Sequence, residues 1–419
     1  MIETKFKQTE LGPIPKDWDV MSLNEIGSFS KGAGISRTDS HSGFLPAIRY
    51  GEIYTTHHNY IVKYTSHISK EIADASKQIQ GGEILFTASG ETKEEIGKAV
   101  AAPDGVTAYA GGDLIILSPK DGFNSRYLGF ISNSEYSVKQ KSSLGQGDAV
   151  VHISTSKLSH VKIPIPCIQE QEKIAEALSD IDALIRELDA LTEKKKAVLQ
   201  GTMQELLTGR RRLSGFHEPW CEVAFKDLGY TYNGLSGKTG ADFGHGESKF
   251  IMFVNVIHKD TISPDYFGSV DISLAEKQNK VQQNDLIFNT SSETPEEVGM
   301  CCCVSEEYPN LYLNSFCFGF RFYESNVNAR LITFILRSRV GRLLMMELAQ
   351  GSTRYNLPKR RFLSSSIKLP KDMREQNEIA MILSDMTKEI EELEAKREKY
   401  AAIRQGMMQQ LLTGKIRLI

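Results

Sequence analysis

Residues 170–213 read EQEKIAEALSDIDALIRELDALTEKKKAVLQGTMQELLTGRRRL, and residues 375–418 read EQNEIAMILSDMTKEIEELEAKREKYAAIRQGMMQQLLTGKIRL. The offset is a constant 205 residues and 24 of the 44 pairs are identical, so one element occurs twice. In the first copy Ile174, Leu178, Ile181, Ile185 and Leu188 recur in alternating steps of four and three. Ile379, Leu383, Met386, Ile390 and Leu393 repeat the pattern in the second. This is the a/d spacing of a coiled-coil seam. It predicts two helices of ~38 residues, ~57 Å long at the usual rise, whose seams pair with each other as an antiparallel coiled coil. Both copies end in Leu-Leu-Thr-Gly, placing Gly209 and Gly414 where a helix C′ glycine belongs. Pro164 and Pro166 precede the first copy and Pro370 the second, as helix starts allow. The seam loses apolar character at Thr192 and Lys195, and at Arg397 and Tyr400, where either looser packing or a face toward a third chain is expected.

The segments before the helices are weaker copies. Trp18-x-x-x-x-Leu23-x-x-Ile26-Gly27 corresponds to Trp220-x-x-x-x-Phe225-x-x-Leu228-Gly229, and Glu83–Gly97 corresponds to Asp285–Gly299. Gln146-Gly147 corresponds to Gln350-Gly351. Short β-branched and aromatic runs separated by Gly, Asn and Asp turns predict twisted sheet in each, with helices over Ser125–Gln140 and Val327–Ala349. The expected class is α+β: two mixed, β-rich domains separated by two long helices, in a pseudo-two-fold circular arrangement. The segments are 1–166, 167–209, 210–370 and 371–419. The C-terminal helix is expected to end near the N-terminal domain.

Composition narrows the function. A chain of 419 residues with 40% hydrophobic and 25% charged residues implies a globular protein of several domains. A net charge of −3 gives no overall basic excess, so any nucleic-acid surface must be local. No apolar run of ~18 residues occurs, so no membrane span is expected, and the N-terminal residues lack a signal-peptide core. The six cysteines include the run Cys301-Cys302-Cys303 but no CxxC pair. That pattern suits reduced thiols on a half-buried strand in the cytoplasm better than a metal site. No nucleotide loop of the GxxxxGK[ST] type and no Asn-Pro-Pro-Tyr or Asp-Pro-Pro-Tyr run occurs. Glu91-Thr92-Lys93 after a strand could serve a metal-dependent nuclease, but the second copy reads Glu293-Thr294-Pro295 and loses the lysine. The histidines form no ligand pattern, and His57-His58 reads as an exposed turn. No catalytic and no metal-ligating residue is therefore expected. The non-DNA alternative is an assembly scaffold with two binding heads.

At Ile163-Pro164-Ile165-Pro166-x-x-x-Glu170-Gln171-x-x-Ile174, at Leu206-Leu207-Thr208-Gly209, and at their second copies, the chain resembles the specificity subunits of type I DNA restriction–modification enzymes. The second start departs slightly, since Lys368-Leu369-Pro370-Lys371 lacks the second proline. The resemblance implies two target-recognition domains, each reading one half of an asymmetric, interrupted site on double-stranded DNA. It implies helices that set the separation and hold two methyltransferase subunits, with restriction subunits joining later. S-adenosylmethionine, ATP and Mg would belong to those partners, and this chain would bind no cofactor.

Phosphate contacts come from Lys and Arg, and base contacts from Arg, Lys, Asn, Gln, Ser and Thr. Seven basic residues fall between Arg337 and Arg361 against the single acid Glu347. Of that stretch, Gln350, Ser352, Thr353, Arg354, Tyr355, Lys359, Arg360 and Arg361 are the DNA candidates. Lys141 and Gln146, in the stretch Lys141–Asp148, match them in the first copy. The strand-end loops add Thr87, Ser89, Thr92 and Lys93, and Asn289, Thr290, Ser291 and Ser292. Weaker candidates are Lys31, Arg37, Arg49 and Tyr50, with Asn233, Lys238 and Asn255 as approximate counterparts.

Overall fold

The computed structural model describes residues 5–419 apart from Asp148, Leu274 and Ser325, so Asp148 of the stretch named above lies outside the described residues. Contacts divide the chain into two units, Met1–Asp189 with Ala395–Ile419, and Ala190–Glu394. Each unit holds one β-rich segment and a stretch of both long helices. Those helices run Ile168–Leu206 and Met373–Leu411, 39 residues each, as the seam spacing predicts.

In the first unit an antiparallel sheet has the order Ala99–Ala101, Ile84–Thr87, Leu114–Pro119, Gly27–Lys31. A second sheet has the order Ser66–Ile68, Leu45–Ile48, Ala108–Ala110, Lys77–Ile79, with its two central strands parallel. Side chains alternate along a strand, and here each face meets its own core. Ile84, Phe86, Ile115 and Leu117 enter one cluster, whereas Leu85, Val100, Leu114 and Ile116 enter another. Burial on both faces explains why these runs are apolar without a break.

The second unit repeats the topology. Its first sheet has the order Cys301–Cys303, Leu286–Asn289, Cys317–Phe322, Gly229–Asn233. In its second sheet Phe243–Ile251 pairs antiparallel with Phe267–Val270 and parallel with Leu311–Leu313. The cysteine run is more enclosed than the half-buried strand expected. Cys301 and Cys303 face one core and Cys302 the other, so all three are buried. Burial pushes the Cys301 thiol up to about 12, which leaves it protonated and inert at neutral pH. His57 is likewise buried rather than exposed, and its burial lowers its pKa.

Each helix expected before the long ones is broken in two. Ser125–Ile131 is followed by Glu135–Leu144, and Ala329–Arg337 by Arg339–Leu348. The breaks fall at Ser134 and Ser338, whose backbones are extended with ψ of 163° and 165°. Serine there starts a new helix; the Ser338 hydroxyl accepts from the Gly341 N–H.

Within each unit the two long helices lie side by side. In the first, Ile174 and Leu178 are fully buried, Ile181 and Leu188 nearly so, and Ile185 half-buried. Arg404 pairs with Asp182 and Arg397 with Asp189, so partner numbers fall as helix numbers rise and the pairing is antiparallel. In the second, Ile379, Leu383 and Ile390 are buried, with Met386 and Leu393 half-buried. Where the apolar seam gives out, Lys195 meets Glu389 at 2.6 Å and Lys196 meets Glu394 at 3.0 Å. Such partly exposed pairs are worth about 0–1 kcal/mol each. A fully buried Ile or Leu contributes about 1.5–3 kcal/mol. The apolar helix ends, packed into the domain cores, therefore carry the association.

The repeated Glu-Gln at each helix start has a structural task. In the first unit the buried Glu170 carboxylate accepts from the Trp18 Nε1–H at 2.9 Å and from Arg417 Nε at 2.7 Å and Nη2 at 2.8 Å. Arg417 also donates to Asp17 at 2.9 and 2.6 Å. In the second unit Glu375 accepts from Arg212 at 2.7 and 2.8 Å and, more distantly, from Trp220 at 3.5 Å. The glutamines act alike. Gln171 accepts from the Asn124 N–H and donates to Pro166 O, both at 2.9 Å. Gln376 does the same with Asn328 and Pro370, again at 2.9 Å. Each Glu-Gln thus joins the start of one long helix to its domain's tryptophan, to a domain helix cap, and to the arginine three residues beyond Leu-Leu-Thr-Gly. The C-terminal helix consequently ends against the N-terminal domain, with Leu411 and Leu412 in the same core as Ile14 and Trp18.

Candidate nucleic-acid interface

In the second unit several of the nominated residues meet at one edge. Ser291–Ser292 pairs antiparallel with Tyr355–Asn356, which brings the two candidate loops together. Gln350 and Asn356 exchange backbone hydrogen bonds of 2.9 and 2.8 Å and close a turn. Gly351 has φ +123°, and a Cβ there would lie 2.1 Å from Arg354 O, so the turn needs glycine. It presents Gln350, Ser352, Thr353 and Arg354 exposed, with Tyr355 half-buried. Arg354 Nε donates to Ser291 Oγ at 3.3 Å. The Leu357 N–H donates to Thr290 O at 2.9 Å, and two residues on, Lys359 Nζ donates to Asn233 Oδ1. The Lys359 ammonium sits 5.4 Å from the Phe318 ring centre, and partial burial lowers its pKa. Arg360 and Arg361 are exposed on the short helix Lys359–Ser364 that follows.

The first unit builds the same edge from other side chains. Ser89–Gly90 pairs with Val151–His152, and Gln146 exchanges bonds of 3.0 and 2.8 Å with His152. Gly147 has φ +115°, and its Cβ would lie 2.1 Å from Val150 O. Ser89 Oγ lies 3.0 Å from His152 Nδ1. Exposed Lys31 lines a small hollow with Ala88, Asp113, Ile153 and Thr155. Arg37, Tyr50, Thr92 and Lys93 are exposed elsewhere on this unit, and Arg49 is half-buried.

Other nominations are corrected. Lys141 is buried, 1% exposed, and its Nζ donates to Gly97 O at 2.6 Å and Ser132 O at 2.7 Å, so it cannot reach a phosphate. Thr87 is buried with its hydroxyl against Tyr54. Asn255 is buried and ties its helix to Ser263 by bonds of 2.9 and 3.0 Å. Asn289 is buried and donates to Glu297 O at 2.9 Å. Lys238 is held by Glu276 at 2.7 Å, and only 8% of its side chain is exposed. Ser89 and Ser292 are largely covered. The basic stretch also divides. Arg337 donates to the carbonyls of Val256, Ile257, Lys259 and Cys301, and Arg342 to those of Glu296 and Val298. These two staple the fold. Glu91, Thr92 and Lys93 all lie on the surface, and no group of three His, Cys, Asp or Glu able to hold a metal gathers among the described residues.

Val150, His152 and Thr155 belong to the first edge although sequence reasoning did not nominate them. The signal was available: Gln146 and Gln350 are 204 residues apart, and the same offset pairs these residues with Arg354, Asn356 and Lys359.

Known proteins share this architecture. A family model described as the type I restriction modification DNA specificity domain matches residues 15–200 and again 221–400. The type I restriction enzyme MjaIX specificity subunit of Methanocaldococcus jannaschii is 31% identical over 208 residues, 49% of this chain and 46% of that protein. The EcoKI specificity subunit of Escherichia coli K12 is 22% identical over 306 residues, 69% of this chain and 65% of that one. The chain spans about half the length of the first of these curated relatives, and a little under two thirds of the second. The fold matches a crystal structure of the type I restriction–modification S subunit from M. genitalium with TM-score 0.62 and 12% identity, covering 97% of this chain and 98% of that one. A structure reported for complex assembly and conformational transition of a type I system matches with TM-score 0.51 and 14% identity, covering 96% and 99%. With two copies of the specificity domain in register with its two structural units, the chain belongs to the type I restriction–modification DNA specificity family.

Proposed function

We propose that this chain is the DNA-reading specificity subunit of a type I restriction–modification complex in the cytoplasm, recognising a two-part, asymmetric site on double-stranded DNA. Each unit reads one part. The long helices dock two methyltransferase subunits, to which restriction subunits add. The chemistry belongs to those partners, which bind S-adenosylmethionine, ATP and Mg; this chain supplies position and sequence choice.

The observation that carries this reading is the unequal likeness of the two copies. The helices match at 24 of 44 positions without a gap, which suits one docking task performed twice. The domains share topology while their edge side chains differ, which suits two different half-sites. An assembly scaffold gives no reason for an exposed Arg354, Arg360 and Arg361 at the edge of one unit.

Electrophoretic titration of the chain with its methyltransferase against cognate duplex tests the reading. Affinity should fall linearly on a log–log plot as salt rises. Arg354→Ala and Arg360→Ala should each weaken binding, and the Arg360 change, as loss of a phosphate contact, should reduce the salt slope by about one. Unchanged affinity in both variants would remove this edge from the interface, and salt-independent binding would remove the DNA reading itself.

A further inference from the structure

The duplication lets one half of the molecule serve as a comparison for the other. Two surface features lie next to one another in each unit, and they behave oppositely. The turn after the buried strand reads Glu91-Thr92-Lys93-Glu94-Glu95 in the first unit and Glu293-Thr294-Pro295-Glu296-Glu297 in the second. Its glutamates and threonine are the same in both, and they are exposed. Packing explains the residues that follow, buried Ile96 and Val298, then Gly97 and Gly299 against Lys141 and Met345, and the Ser292 hydroxyl donates to the Glu297 carboxylate at 3.1 Å. No such side-chain bond ties Glu91, Glu94, Glu293 or Glu296 among the described residues. A loop that reads bases in two different half-sites has no reason to match, and three carboxylates are repelled by phosphates.

The adjoining edge shows the reverse. Backbone geometry agrees in detail: the same two-residue ladder, the same exchanged glutamine bonds, and a positive-φ glycine with the same 2.1 Å constraint. The side chains on that common frame do not agree. Lys31 stands where the second unit has Asn233, Val150 where it has Arg354, and Thr155 where it has Lys359. In the second unit Lys359 and Asn233 bond to each other. In the first, Lys31 and Thr155 line one hollow, and the buried Thr155 hydroxyl has no hydrogen-bond partner among the described residues. Val150 is 50% exposed although apolar.

We infer that these three paired positions set base specificity, Lys31, Val150 and Thr155 for one half-site and Asn233, Arg354 and Lys359 for the other, and that the acidic turns read no bases. The inference rests on the DNA-reading function proposed above. Chemistry supports the division. Arg and Lys donate to the guanine O6 and N7 acceptors, an asparagine amide suits adenine, and an apolar group suits the thymine methyl. The second unit therefore carries three donors for purine edges, whereas the first sets Lys31 and Thr155 beside the apolar surface of Val150.

The test is selection of bound sequences from a randomised duplex library, using the full chain with its methyltransferase. The wild type should yield a two-part motif. Asn233→Lys with Lys359→Thr transplants the first unit's chemistry and should change preference at one or more bases of a single part, by about 5- to 150-fold for each bidentate hydrogen-bonded pair removed. Arg354→Val, an exposed change that leaves the core intact, should alter the same part. Glu293→Gln with Glu296→Gln should leave both parts unchanged. A two-part motif identical in the wild type and in both edge variants overturns the inference while sparing the function. So does uniform weakening with no change of motif, which would make these residues phosphate contacts. A motif altered by the Glu293 and Glu296 change also overturns it. A wild type that selects no motif contradicts the DNA-reading function itself.

Discussion

Glu170→Ala is expected to destabilise the first unit by about 3 kcal/mol, the lower end of the range for removing one partner of a buried ion pair. The carboxylate is 1% exposed and receives three hydrogen bonds. Removing it strands the Trp18 indole N–H, which is fully buried, and leaves the Arg417 guanidinium with only Asp17. That remaining pair, whose aspartate side chain is 63% exposed, is why the lower end applies. For a unit of this size each kcal/mol moves the melting temperature by about 2–4 °C, so calorimetry should show a fall of about 6–12 °C. Replacing Glu170 and Arg417 together by methionine should recover part of the loss, because an apolar pair leaves no buried charge unpaired and the Asp17 carboxylate that loses Arg417 is exposed. A Glu170→Ala protein that melts with the wild type would show that the clasp does not hold the C-terminal helix to its domain.

Lys141→Met should abolish a pH dependence that the wild type shows. Burial pulls the Lys141 pKa from 10.5 down to about 7 in the folded chain. Below pH 7 the ammonium is present in both folded and unfolded chains, and the folded one bears the full cost of burying it. Between pH 7 and 10.5 the unfolded chain binds a proton that the folded chain lacks, so stability rises with pH. Above 10.5 both are neutral and the cost is gone. The whole rise is at most about 5 kcal/mol at 1.36 kcal/mol per pKa unit. Denaturant titrations at several pH values should show the wild type gaining stability across this window relative to the variant. At neutral pH the net change is smaller, because methionine leaves Gly97 O and Ser132 O unpaired at about 1–3 kcal/mol each. A difference between the two proteins that stays constant from pH 7 to 10.5 would contradict this account. The second unit already carries the replacement, since Met345 occupies the matching buried place against Gly299.

That match also shows what sequence could and could not tell. Periodicity was sufficient for the long helices, because a seam of Ile and Leu every three or four residues has one low-energy arrangement. The strand alternation at Ile84-Leu85-Phe86 was hidden, because both faces are buried and a continuous apolar run carries no period. Lys141 was misplaced because a basic residue between polar neighbours looks solvated. Which face of Glu135–Leu144 turns inward depends on Ser134 restarting the helix, and on the carbonyls of Gly97 and Ser132. Lining up Lys141 with Met345 would have exposed the error. Glu170 and Glu375 were visible as a motif, yet the partners of Glu170, Trp18 and Arg417, lie 152 and 247 residues away. Only the fold joins them. Asn233, Arg354 and Lys359 were each nominated singly, and the structure adds that they share one edge.

The central claim is that two copies of one fold read two different pieces of DNA. Mapping the methylated bases in DNA from cells expressing this chain with its methyltransferase tests it most directly. The predicted result is a single two-part motif, asymmetric and interrupted by a fixed gap, with the bases of one part changed when the edge of one unit is altered. A continuous motif, a palindromic one, or no motif at all would contradict it.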